Sequence, residues 1–337
     1  MGSHRRLEPS PGPGRGTTVT VGLLSAAAAA LGAVPATAAP HEDPRAAVDR
    51  LYEEAERATE AYNKADERAD TLRGQVNAVR DEIARQQERV NTMRESLGSL
   101  AGAQYRSGGL DPSLALLFSD DPEDYLERAS VLDRLTARQA GELRALREAV
   151  RSLDQDRAEA SRKLGELDRS RKAVAAHKKT VERKLAQARR LLDTLPDDER
   201  AAHGRSARSG RGGPPVPDGA AASGRAAAAV AAARSALGKP YVWGANGPSG
   251  FDCSGLMQWS YAQAGIALPR TSQAQRHAGT QVPLDQARPG DLVVYRPDGS
   301  HVGMYTGNGQ VIHAPYPGAP VRYDPVGMMP VSSVTRV

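Results

Sequence analysis

At 337 residues the chain has room for more than one domain, and its composition is uneven, with 25% charged against 4% aromatic residues. Both tryptophans, Trp243 and Trp259, lie in the last third with Phe251, while the first two thirds are rich in Ala, Arg, Glu, Asp and Leu, a composition of long solvated helices. A net charge of +5 and a pI near 9.4 favour anionic surroundings such as wall polymers and lipid headgroups; no basic patch is interleaved with aromatics, so nucleic acid is not an expected partner.

Residues 1–38 read as an export signal: Arg5 and Arg6 make a basic start, Val19 to Val34 an apolar stretch, and Ala36-Thr37-Ala38 a small-residue cleavage site. The run is too short and Ala-rich for a comfortable membrane span, a retained anchor being the alternative. The protein is expected to be secreted, extracellular or associated with the cell wall. In that setting a single cysteine, Cys253, cannot form an internal disulfide. A free thiol there is open to oxidation, which marks Cys253 for chemistry rather than packing.

Residues 41–195 carry a heptad rhythm. One series is Val48, Ala55, Tyr62, Ala69, Val76, Ile83, Val90 and Leu97, and its partner is Leu51, Ala58, Ala65, Leu72, Val79, Gln86, Met93 and Leu100. Steps of three and four put both on one stripe of a helix, broken only at Gln86. The seam resumes from Tyr125 to Leu195, with Arg157, Arg171 and Lys178 on seam positions. Between the arms, Ser107 to Pro112 and Asp120-Asp121-Pro122 break the helix around an apolar run, Leu114 to Phe118. The expectation is a long antiparallel coiled-coil hairpin with arms on the order of 90 Å, at 1.5 Å per residue. Residues 196–225, rich in Arg, Gly, Ser and Pro, read as a flexible linker.

The compact domain spans 226–337. After a helix and a Gly-rich turn, Asp252 is placed to cap a helix running from Cys253 to Gly265. Cys253 then sits in the first turn, where the helix dipole and free amides favour thiolate and can hold an oxyanion. A thiol nucleophile needs a base and a group to orient it. His301 and His313 lie on two predicted strands, His301 to Tyr305 and Gln310 to His313, joined through Gly307-Asn308-Gly309. A plain two-residue Asn308-Gly309 loop would put His313 opposite Met304, on the face away from His301. If His313 orients His301, the hairpin needs an odd loop or a bulge, with Gly309 at positive φ. One Cys and two His could also ligate zinc, but neither C-x-x-C nor H-E-x-x-H is present, and no metal or other cofactor is expected.

Pro240-Tyr241-Val242-Trp243-Gly244, Asp252-Cys253-Ser254-Gly255, Arg288-Pro289-Gly290-Asp291-Leu292, His301-Val302-Gly303-Met304-Tyr305 and Ile312-His313-Ala314-Pro315 together resemble the NlpC/P60 family of cell-wall peptidases. The resemblance covers about a third of the chain, in the family's order and spacing. It implies an α+β, papain-like catalytic domain and hydrolysis of peptidoglycan stem peptides, typically at the D-γ-glutamyl to diaminoacid bond. Cys253 would be the nucleophile, His301 the base and His313 the polar third residue; Tyr241, Asp252 and Ser254 match positions lining the family's substrate pocket. Ala245 stands where family members often carry a second glycine. The hairpin resembles the coiled-coil regions of actinobacterial and firmicute wall hydrolases, which implies regulation through a membrane division complex and occlusion of the active site by the coil. An amidase or acyl transferase on the same fold, or a non-catalytic activator acting through its coil, are the alternative readings.

Overall fold

A computed structural model describes residues 43–106, 122–200 and 223–337. The export segment, the apolar run Leu114 to Phe118 and most of the expected linker lie outside the described residues. No helix among those described is long and apolar enough to cross a membrane.

Two long helices, α1 (Pro44–Arg106) and α2 (Pro122–Thr194), form an antiparallel pair. Partners on and just beyond α2 fall in number as those on α1 rise: Arg45 bonds Glu199, Ser170 bonds the Ala65 carbonyl at 2.8 Å, Lys163 bonds Gln75 at 3.0 Å and Arg157 bonds Gln87 at 2.6 Å. Part of the expected seam is buried, Val48, Ala55, Ala69, Leu72, Val76 and Val90 on α1 and Leu153, Ala160, Leu167, Val181, Leu185 and Ala188 on α2, while its positions Tyr125, Leu143 and Leu164 on α2 are exposed. Arg157 occupies its seam position by turning its guanidinium to a neighbouring glutamine across the interface.

Tyr62 departs from the seam. Its ring lies edge-on to Trp243 of the C-terminal domain at 5.2 Å. It belongs to a second buried face of α1, made of Tyr52, Glu56, Thr59, Glu60 and Asn63. Residues three and four apart share a helix face, so this stripe is continuous, and it packs on the C-terminal domain.

That domain is α+β. Helices α3 (Gly224–Ser235), α4 (Cys253–Gln263) and the short α5 (Ser272–Gln275) accompany six strands: β1 (Thr280–Val282), β2 (Leu292–Tyr295), β3 (His301–Gly307), β4 (Gln310–His313), β5 (Arg322–Pro325) and β6 (Val331–Arg336). Every paired neighbour is antiparallel, in the order β1-β6-β2-β3-β4-β5. β1, β5 and β6 are too short or too polar to stand out by alternation alone. One core joins α3 and α4 to one sheet face through Val230, Leu256, Met257, Tyr261, Val294, Val302, Met304 and Ile312. The Tyr261 hydroxyl, buried beneath α4, donates to the Gly290 carbonyl at 2.6 Å, tying that helix to the turn before β2.

The β3–β4 hairpin uses a bulge. Gly307 pairs with Gln310 across a two-residue Asn308-Gly309 turn, both residues at positive φ (53° and 69°). Between Tyr305 and Gly307 the register slips by one residue, and Met304 pairs with Ile312. The extra residue, Thr306, bonds the Gln310 carbonyl through its hydroxyl at 3.2 Å. One inserted residue moves every later side chain to the other face, so His313 comes to lie diagonal to His301 on a shared face.

Candidate active site

Asp252 caps α4, its Oδ1 accepting from the Gly255 amide at 2.6 Å. A side chain at Gly255 would put its Cβ 2.2 Å from the Ala245 carbonyl oxygen, so only glycine lets the Gly-rich turn lie against this helix. Cys253 therefore opens α4 at the bottom of a cleft, buried, with its sulfur within 4.8 Å of a ring nitrogen of His301. The two histidine rings meet edge to face, with His301 Nε2 2.7 Å from His313 Nδ1. The expected trio is assembled from the start of α4, the start of β3 and the end of β4.

Tyr241, Asp252 and Ser254 lie around the same cleft. Burial and the nearby Cys253, Glu56, Asp252 and Glu60 push the Tyr241 phenol well up. Asp252 is fully buried and gathers more partners than a cap requires: Arg270 grips both of its oxygens (3.0 and 2.6 Å), and Oδ2 also accepts from the Gly244 amide at 3.0 Å. Arg270 reaches the Ser254 hydroxyl as well, at 3.0 Å. Arg270 is not among the expected site residues; an arginine shortly after the Cys helix, available to pair with the capping aspartate, is the sequence signal that could have found it.

The cleft is filled by α1. The Glu56 carboxylate lies 2.6 Å from His301 Nδ1 and 2.5 Å from Arg296 Nη1. One turn on, Glu60 Oε1 accepts from the Ser254 hydroxyl at 2.7 Å and lies 3.8 Å from the Cys253 sulfur, while Oε2 accepts from the Ser272 amide at 2.9 Å. Asn63 donates to Asp252 at 3.1 Å, and Tyr52 stacks on Tyr316 at 5.0 Å. Arg296 reaches Glu56 from a left-handed backbone conformation (φ 62°) just beyond β2. A heptad reading treats Glu56 and Glu60 as solvated flank, because a helix sequence carries no mark of what a second face will meet.

These contacts reset the electrostatics. Burial, then the charges of Glu60, Glu56 and Asp252, push the Cys253 thiol well up. The helix N-terminus is expected to favour thiolate; with α1 seated, burial first and then three neighbouring carboxylates act the other way. Burial alone would raise Glu56, but the charge and hydrogen bond of His301 and those of Arg296 hold it down. Burial and the neighbouring Asp252 push Glu60 up to about 7. Burial pulls His313 down to about 4, against its hydrogen bond to Asp324.

Glu56, Cys253 and His301 are also the one group of three described residues whose side chains could share a metal ion. The 2.6 Å between Glu56 and His301 is a hydrogen-bond distance. It is shorter than the about 3.4 Å edge of a tetrahedron drawn at zinc–ligand bond lengths. The trio is satisfied by protons rather than arranged around an ion.

An antiparallel sheet with a cysteine at the head of the packed helix and a histidine pair on adjacent strands defines a thiol-hydrolase type of site. The profile of the NlpC/P60 family matches residues 238–334, and this C-terminal domain is a member of that family. A probable endopeptidase of Corynebacterium glutamicum is 44% identical over 122 residues, covering 36% of this chain and 58% of that protein. A probable endopeptidase of Mycobacterium tuberculosis is 48% identical over 110 residues, covering 33% of this chain and 28% of that protein. The probable endopeptidase p60 of Listeria monocytogenes is 53% identical over 97 residues, covering 28% and 20%. In each case the match spans less than two thirds of the relative's length.

Proposed function

We propose that this chain is an exported peptidoglycan endopeptidase that cleaves stem peptides, at the D-γ-glutamyl to diaminoacid bond, and that α1 holds it inactive. The observation that carries the catalytic reading is the Cys253–His301–His313 arrangement inside an NlpC/P60 domain whose relatives are named probable endopeptidases. In the proposed reaction His301 Nδ1 takes the thiol proton as the sulfur attacks the scissile carbonyl. The tetrahedral intermediate collapses to a thioester as the amine leaves with the proton from His301. Water, deprotonated by the same nitrogen, then hydrolyses the thioester and frees the thiol. Tyr241, Asp252 and Ser254 line the substrate cleft, with Arg270 fixing Asp252.

The autoinhibitory reading rests on Glu56 and Glu60. Glu56 holds the ring nitrogen that the thiol proton must reach, and Glu60 occupies the space beside the sulfur. A substrate peptide and α1 cannot share this cleft, so hydrolysis requires α1 to leave it. A membrane division complex acting on the hairpin is the partner class that the coil's resemblance suggests.

Mass spectrometry of muropeptides from purified wall, digested with the chain carrying both Glu56→Ala and Glu60→Ala, tests the reading. New termini at D-glutamate and the diaminoacid support it. New termini at another amide bond show an amidase instead, transfer products show an acyl transferase, and wall remodelling undiminished by Cys253→Ala shows a non-catalytic activator.

A further inference from the structure

The histidine pair does not end the chain of hydrogen bonds. His313 Nε2 lies 2.8 Å from Asp324 Oδ2, on the neighbouring strand β5, and the same oxygen accepts from Arg322 Nε at 2.8 Å. His313 pairs with Arg322 in the sheet register, which sets Asp324 two residues along β5 and on the same face. His313 is enclosed, at 1% exposure, so bulk solvent does not compete for these hydrogen bonds.

We propose that Asp324 is a positioning residue that sets the tautomers of both histidines and so leaves His301 Nδ1 able to accept the thiol proton once Glu56 has withdrawn from it. The inference rests on the hydrolytic reading above. An ionised carboxylate can only accept, so His313 must carry its hydrogen on Nε2. Neutral His313 then presents a bare Nδ1, which can only accept from His301 Nε2–H. With Glu56 docked, its carboxylate takes a hydrogen from Nδ1; once α1 has left, a neutral His301, its one hydrogen committed to Nε2, keeps the lone pair of Nδ1 on the side of Cys253. Reversed roles would put a hydrogen on His301 Nδ1, facing the sulfur, and the site would have no base. The charge states fit: Asp324, raised by burial but lowered more by His313 and Arg322, stays ionised, and His313 stays neutral. An aspartate fixing a histidine tautomer is a recognised device in hydrolases; here it acts through a second ring.

Two measurements on the full chain test this. With histidine side chains labelled with nitrogen-15, the ring shifts at pH 7 should show hydrogen on Nε2 and none on Nδ1 of His313, and Asp324→Leu should move hydrogen to Nδ1. Hydrogen on Nδ1 in the parent chain overturns the inference. Against the Glu56→Ala, Glu60→Ala background, Asp324→Asn should lower kcat at least about 100-fold with KM little changed. Adding His313→Gln should cut that effect to under about twofold, because a glutamine carbonyl accepts from His301 Nε2–H without an aspartate. An equal loss in the His313→Gln background would make Asp324 merely structural and sink the proposal. If the background chain cleaves no wall peptide, the hydrolytic reading fails instead, and the ring shifts still decide the tautomers.

Discussion

Glu56 Oε1 lies 2.6 Å from His301 Nδ1, so a carboxylate from α1 holds the ring nitrogen proposed to take the thiol proton. Both residues are buried, and Arg296 closes the other side of the carboxylate. Removing one member of such a buried, hydrogen-bonded charge cluster costs about 3 kcal/mol. Glu56→Ala should therefore raise the population with α1 undocked roughly 100-fold. Alkylation of Cys253 by iodoacetamide should accelerate by a similar factor, with the circular dichroism spectrum unchanged. An unaltered alkylation rate would show that α1 does not guard the thiol.

Glu60 makes docking sensitive to pH. Its carboxyl, near 4.5 when free, is pushed up to about 7 when seated beside Asp252, so the docked state binds the proton more tightly. Its contribution to docking is complete below about 4.5 and is lost as pH rises through about 7. Glu56 is shifted downward, and its contribution weakens only below its ordinary range. Amide hydrogen exchange in residues 52–63, corrected for intrinsic rates, should become faster between pH 5 and 8. Glu60→Gln, whose carbonyl can still accept from the Ser272 amide and which has no proton to lose, should abolish that increase.

Arg270 holds both oxygens of a fully buried aspartate, and its own side chain is 11% exposed. Arg270→Met leaves Asp252 without its cation and should destabilise the C-terminal domain by about 3 kcal/mol. Arg270→Lys, a point charge in place of a planar fork, should recover part of that loss. Urea denaturation followed by tryptophan fluorescence would measure both, since Trp243 and Trp259 lie in this domain.

The β3–β4 turn gives a separate prediction. Gly309 sits at φ 69°, and a Cβ added there would meet nothing within 4 Å. Gly309→Ala therefore clashes with no neighbour and carries only the left-handed backbone cost, about 1 kcal/mol. Deleting Thr306 is a different change, because it removes the bulge while keeping the turn. His313 then moves to the opposite face, and wall hydrolysis in the Glu56→Ala, Glu60→Ala background should fall below detection while Gly309→Ala retains it.

The register shows where sequence reasoning stopped. Alternation and the Asn308-Gly309 pair located the strands and required an odd residue for His301 and His313 to meet. They did not say whether the loop or the strand would supply it; the structure puts it in the strand, at Thr306. A bulge is decided by how both flanking faces pack, which no local pattern records. Asp324 was missed for a related reason, since β5 is a short polar strand recognisable only by its pairing with β4.

By itself the sequence determined the parts whose causes are local or repeat along the chain. Apolar spacing gave the two long helices and the seam between them. Asp252 ahead of Cys253, with glycine two residues beyond, gave a capped helix start carrying a thiol. Only the tertiary structure decided the state of that thiol. The face of α1 bearing Glu56 and Glu60 reads as a solvated flank, and it lies against Cys253 and His301 because the fold sets it beside residues nearly two hundred positions away. Charges carry no record in the sequence of the partners that will remove them from water, and here those partners, with burial, push the Cys253 thiol up.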